Sequence, residues 1–175
     1  IYNLFGFAFG VGGSLKVSEA IGAEDKKGAG VYFTQTVLFS LVASAAVTVL
    51  GAVFLPDFIR LAGGSALAGA ETYLRPVVLT APVFIMAPVL SLLIRSDADP
   101  SLSTLGITVS VTVNIGLDLV FIFVLKMGLF GAALAMVLGQ LSAVLAYMPH
   151  FFKKHNRLKL RRAPFHIKEA AGIFH

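Results

Sequence analysis

Long apolar runs, nearly free of charge and parted by short charged intervals, dominate this chain. A bilayer core of roughly 30 Å is crossed by about 20 apolar residues rising 1.5 Å each. The runs predict five helices, A to E, over 1–22, 32–55, 72–94, 101–125 and 127–149. Four reach the length unaided, and helix A does so with a few further residues upstream. Helices B and E hold no charge, C only Arg75 near its start, and D only Asp118. A soluble domain carries about 25% charged residues; this chain carries 13%, with 57% hydrophobic residues and a mean hydropathy of +0.88. Short connectors join antiparallel neighbours, so the expected fold is an all-α membrane protein, an up-and-down bundle. The chain opens on Ile1 rather than Met and His175 closes no recognisable unit, which reads as a fragment of a longer chain.

Charge gives the orientation. If helix A runs inward, the inner side holds Lys16, Lys26, Lys27, Arg95, Lys153, Lys154, Arg157, Lys159, Arg161, Arg162 and Lys168. The outer side holds only Arg60, Arg75 and Lys126. That asymmetry follows the positive-inside rule and accounts for the pI of about 9.7. It predicts a multi-pass protein of the inner (plasma) membrane, with residues 1–149 as the membrane unit and 150–175 as a basic cytoplasmic linker. The same basic segment suits anionic lipid headgroups, so membrane lipids rather than nucleic acid are the expected partners.

Four helices carry small or polar residues at every fourth position, which lie near one helix face. These are Gly6, Gly10, Ser14, Ser18 and Gly22 in A; Thr36, Ser40, Ser44 and Thr48 in B; Gly106, Ser110, Asn114 and Asp118 in D; and Gly131, Ala135, Gly139 and Ala143 in E. In lipid, small residues let helix backbones approach, so close packing accounts for A, B and E. Helix D differs because its stripe ends in an amide and a carboxylate. A charge deep in a membrane helix costs about 2.5–3.5 kcal/mol on insertion scales, and Asp118 sits roughly 10 Å below the helix end at 1.5 Å per residue. With Asn114 one turn away, its oxygens suit a proton or a small hard cation such as Na⁺. The bland alternative is a protonated Asp118 bonded to Asn114 as interhelical glue.

Pro76, Pro82 and Pro88 in helix C serve equally as hinges or as passive kinks, which membrane helices tolerate. With no cysteine, neither a disulfide nor a thiolate metal site can form. Gly10, Gly12, Gly13, Ser14 and Lys16 lack the spacing of a phosphate loop. The four histidines, at 150, 155, 166 and 175, fall after the last predicted span, and only one carboxylate is deep. No enzyme is expected.

Several segments together resemble one transporter family. GVGGSLKVSEAIGAEDKKGAG (10–30), YLRP (73–76), IRSDADP (94–100), NIGLDLVFI (114–122) and MGLFGAALAMVLGQ (127–140) are similar, in order and spacing, to pieces of the multidrug and toxic compound extrusion (MATE) transporters. The resemblance implies that helices A to E are helices two to six of a twelve-helix, two-lobed protein, the second half of the same chain following the linker. It implies alternating access and efflux of cationic, amphipathic compounds in exchange for Na⁺ or H⁺, with no other cofactor. It places the coupling cation at Asn114 and Asp118, aided by an acidic residue of the first helix, and makes Ser110, Met136 and Gln140 candidate cavity-lining residues. Met136 stands where family members often have a Thr, which removes one hydroxyl ligand and leaves Na⁺ and H⁺ both open. Ala98 stands where the loop usually has Gly, a turn variant expected to be tolerated. Two alternatives remain: a flippase for lipid-linked oligosaccharide or peptidoglycan precursors, which would need more cationic residues facing its cavity, and a non-transporting scaffold subunit, which would not need Asp118.

Overall fold

The computed structural model describes residues 2–61 and 69–152, and these form an antiparallel helical bundle. Its elements are α1 (Tyr2–Gly22), α2 (Lys26–Leu61), α3 (Ala70–Leu79), α4 (Ala81–Ser96), α5 (Pro100–Asp118), a π-helical stretch Leu119–Val124, and α6 (Gly128–Phe152). Most of the basic segment assigned to the linker lies outside the described residues. Four helices are long and apolar enough to cross a membrane, with α5 and the π-helical stretch counted together; α3 with α4 makes a fifth span if the bent pair is taken as one. Large apolar side chains such as Leu4 (71% exposed) and Phe123 (71%) face outward, as lipid rather than water favours.

The bundle is built around α4, which packs against every other α-helix. Its Ala81, Ile85, Val89, Leu93 and Ile94 are fully buried. Val17, Phe33, Val89 and Leu93 form one cluster, and Leu90, Ile94, Ala143 and Tyr147 another. Polar cross-links tie the same helices: Ser91 and Ser103 share a hydrogen bond of 2.8 Å, and Tyr147 donates to the Ser103 carbonyl at 3.1 Å.

Three expectations are corrected. Helix A qualifies as a span by itself, at 21 residues. Helix B is longer than the charge-free run, because Asp25 accepts from the Lys27 and Gly28 amides and starts α2 at Lys26. Its far end continues through Pro56 to Leu61, so α2 spans 36 residues. Helix C is not continuous but breaks at Thr80, with a 54° bend between α3 and α4. Pro82 has no N–H for the carbonyl four residues back and its ring displaces that carbonyl, so Thr80 ends α3 with its amide and hydroxyl both donating to the Pro76 carbonyl. The three prolines thus differ: Pro82 sits just after the break, Pro76 lies inside α3, and Pro88 packs its ring against α1 at Gly6.

The glycine stripe of α1 is also not the one spaced strictly by four. Gly6, Gly10, Gly13, Val17 and Ala20 are buried, whereas Ser18 and Gly22 are exposed. Steps of four overrun the turn of 3.6 residues, so a face that stays against its neighbour must alternate steps of four and three. On α2 the buried Thr36, Ser40 and Ser44 hydroxyls donate to carbonyls of their own helix, as a close-packed face requires.

The tight turn between α4 and α5 holds Ala98 at φ +61°. Left-handed backbone costs a non-glycine residue about 1–2 kcal/mol, so the variant turn is strained. Ala98→Gly should stabilise the protein by about 1 kcal/mol, read as a higher midpoint in thermal unfolding in detergent. An unchanged or lower midpoint would show that the turn stores no such strain.

Candidate functional site

Ser110, Asn114 and Asp118 descend one face of α5. Glycine at 139 brings that face against α6: a Cβ there would lie 2.9 Å from Asn114 Cβ and 2.9 Å from the Ser110 carbonyl oxygen. Ser110 is buried, while Asn114 and Asp118 are half-buried. Asp118 is the last α-helical residue before the ladder widens into the π-helical stretch, where the Leu125 amide reaches the Val120 carbonyl at 2.9 Å. Helix D, expected over 101–125, is thus one span whose last turns are π-helical. Such widened turns often occur at functional sites.

The Asp118 Oδ1 atom is buried and takes no hydrogen bond, and none joins this side chain to Asn114. An orphaned buried carboxylate oxygen is costly. No group of three or more His, Cys, Asp or Glu placed to hold a metal ion occurs among the described residues. One carboxylate and one amide provide only part of a cation's shell.

The three candidate cavity residues do not share a cavity. Ser110 and Gln140 line a space of about 250 Å³ between α1, α4, α5 and α6, together with Asn3, Ser91, Arg95 and Tyr147. Met136 lines a larger apolar one of about 570 Å³ near the start of α1, with Tyr2, Phe54, Phe58 and Phe84. Its sulfur accepts from Tyr73 OH at 3.7 Å, and it packs on the Val77, Phe84, Ala133 and Val137 cluster. Neither cavity is lined by Asn114 or Asp118.

One buried polar contact escaped the sequence reading. His150 is not beyond the last span but in the final turn of α6, 4% exposed, with Nε2 3.0 Å from Asp97 Oδ2. Asp97 is therefore a second buried carboxylate, at the end of the bundle rather than in its middle. The D-x-D pair in IRSDADP was visible, but its partner lies 53 residues away.

Comparison with known proteins agrees with this architecture. The MatE family model matches residues 1–120. The multidrug export protein MepA of Staphylococcus haemolyticus is 31% identical over 168 residues, covering 95% of this chain and 36% of that protein. MepA of Staphylococcus aureus strain MRSA252 is 30% identical over 151 residues, covering 85% of this chain and 33% of that one. The chain thus spans about a third of the length of these relatives. The inward-facing structure of a multidrug resistance MATE family transporter of the MOP superfamily superposes with a TM-score of 0.92 at 24% identity, covering 98% of this chain and 40% of that chain. A MATE structure in the bent conformation superposes at 0.88 with 25% identity, covering 97% and 39%.

Proposed function

The chain belongs to the MatE family, and from that premise we propose that it forms part of one lobe of a secondary transporter that expels cationic, amphipathic compounds in exchange for Na⁺ or H⁺. The observation that carries the reading is the buried, unpartnered Oδ1 of Asp118 on the α5 face that holds Asn114. A carboxylate kept in this state can take up a proton or a hard cation and release it, whereas a purely structural carboxylate would be expected to have its hydrogen bonds made. The Asn114 side chain contributes an amide oxygen from one turn away. An acidic residue in a helix before α1, which the family resemblance implies, would complete the shell.

Recognition of the exported compound needs apolar, aromatic surface with few fixed charges. The larger cavity, lined by Tyr2, Phe5, Phe54, Phe58 and Phe84, has that character. Among the described residues, Arg95 is the one cation lining either cavity, which gives little support to the flippase reading. The experiment is transport by the full chain in proteoliposomes under imposed Na⁺ or H⁺ gradients. Uphill export of a fluorescent organic cation under one gradient supports the proposal; export indifferent to both gradients overturns it.

The charge asymmetry assigns the end bearing Lys26, Lys27 and Arg95 to the cytoplasm. Single cysteines at Lys27 and Lys126, both exposed and at opposite ends of the bundle, should be labelled by an impermeant maleimide from opposite sides. Position 126 should react in intact cells and position 27 only after permeabilisation. The reverse pattern would invert the topology.

A further inference from the structure

The smaller cavity is lined by polar groups that the bundle itself leaves unanswered. Arg95, at the end of α4, gives one N–H to Ser103 Oγ at 3.4 Å. Among the described residues no carboxylate lies within ion-pair distance of it. The two carboxylates that follow it in sequence are engaged elsewhere: Asp97 Oδ2 faces His150 Nε2 at 3.0 Å, and Asp99 Oδ1 accepts from the Leu102 amide. An arginine has five N–H donors, so most of the fork stays open. The neighbouring hydroxyls are taken, Ser91 by Ser103 and Tyr147 by the Ser103 carbonyl.

Two turns beyond Ser103, about 10 Å along α5, Ser110 lines the same cavity. It is only 7% exposed, yet its hydroxyl makes no hydrogen bond among the described residues. Thr104 and Thr108 of the same helix give theirs to carbonyls four residues back, each at 3.0 Å, the ordinary recourse of a hydroxyl in a helix. Gln140, next to the Gly139 that touches Ser110, also lines the cavity with its amide unbonded. The walls between these polar ends are apolar: Phe7, Pro88, Leu92, Ile107 and Val111. Helices α1 and α5 both pack on α4 and scarcely touch each other. The cavity therefore opens between them, where Phe7, Ile107 and Val111 are exposed.

A cation without a counter-ion, a hydroxyl and an amide two turns away, and apolar walls between them complement a small organic acid. We propose that this cavity binds a compact carboxylate with a hydrogen-bonding group at its far end, anchored by Arg95 and read by Ser110 and Gln140. The planar guanidinium matches a carboxylate through two parallel bonds. A volume of about 250 Å³ falls below the roughly 300–1,000 Å³ of drug-sized sites, which favours a molecule of one ring. The site differs in character from the larger cavity, whose lining carries no charged side chain, and it is separate from Asn114 and Asp118.

The test is equilibrium dialysis of the full chain, in a non-ionic detergent at neutral pH, against radiolabelled 4-hydroxybenzoate. The amide and the amidine of the same ring serve as neutral and cationic probes of the same shape. The acid should bind saturably and about tenfold more tightly than the amide, as a charge-assisted hydrogen bond implies, and the amidine should not bind. Arg95→Gln should cost the acid about tenfold in affinity and erase its advantage over the amide; because Arg95 is exposed, the variant should fold. Ser110→Ala should weaken 4-hydroxybenzoate but not benzoate. Val111→Trp, which fills the rim without altering the charge, should abolish binding. Equal binding of amide and acid, binding unchanged in Arg95→Gln or Val111→Trp, or Ser110→Ala acting equally on both acids would overturn the proposal. So would binding that persists in nanodiscs of neutral phospholipid and vanishes in anionic ones, since that result gives Arg95 to a lipid phosphate. These are equilibrium measurements without an ion gradient, so the coupling role of Asp118 stands or falls separately.

Discussion

Asp118→Asn leaves the protein folded and inserted but abolishes gradient-driven efflux. The substitution keeps the size and polarity of the side chain and removes only its ability to ionise. Its Oδ1 has no hydrogen bond to lose, and an amide is cheaper than a carboxylate at this depth, so stability should hold or rise. Transport is different. Each charge moved with the coupling ion contributes about 2.3 kcal/mol per 100 mV, which is an uphill concentration ratio of about fiftyfold. Without an ionisable group at this position, that ratio should collapse toward one, while downhill leak of the compound persists. Asn114→Ala should weaken coupling less, since it deletes a neutral ligand and leaves the charge. The measurement is the steady-state gradient of an organic cation in proteoliposomes under imposed Na⁺ and H⁺ gradients. A stable Asp118→Asn protein that still concentrates the compound as the unaltered protein does would remove Asp118 from the coupling site.

The spans were legible because lipid imposes a simple rule: a charge within about 20 residues is visible against an apolar run. The helix ends were not, because they depend on local bonds rather than composition. Asp25 capping α2 and Pro82 breaking helix C are each a matter of one donor or acceptor. Asp118 could be picked out from the sequence as the deep charge, and the face shared by Ser110, Asn114 and Asp118 follows from helical period alone. What period could not supply was the tilt of Met136 into a different cavity, or the pairing of His150 with Asp97. The first depends on the bend at Thr80, which carries Tyr73 and Val77 over α6. The second depends on ending α6 at Phe152 rather than at Pro149, three residues that decide whether a histidine counts as linker or core.

Gly139→Leu should cost about 3 kcal/mol or more of stability, at the upper end of what overpacking a well-filled interior does. The reason lies in what the new side chain meets. A Cβ at 139 falls 2.9 Å from the Ser110 carbonyl oxygen and 3.4 Å from Asn114 Cα, and backbone cannot rotate aside as a flexible side chain can. The helices would have to separate, and in lipid no hydrophobic gain makes up for the close packing they would give up. Gly10→Leu should act alike through α4, where the nearest backbone atom is Val89 Cα at 3.2 Å. Val47 looks lipid-facing in the sequence but lines the larger cavity, so Val49, which is 61% exposed, is the proper control; Val49→Leu should change little. Thermal unfolding in detergent compares the three. Because Gly139 lies against Ser110 and Asn114, on the face proposed to bind the coupling cation, a milder Gly139→Ala protein that folds should also transport poorly, whereas an equally destabilised Gly10→Ala protein should keep its coupling. Equal loss of coupling in both would mean that the α5–α6 packing has no special part in holding Asn114 and Asp118 in place.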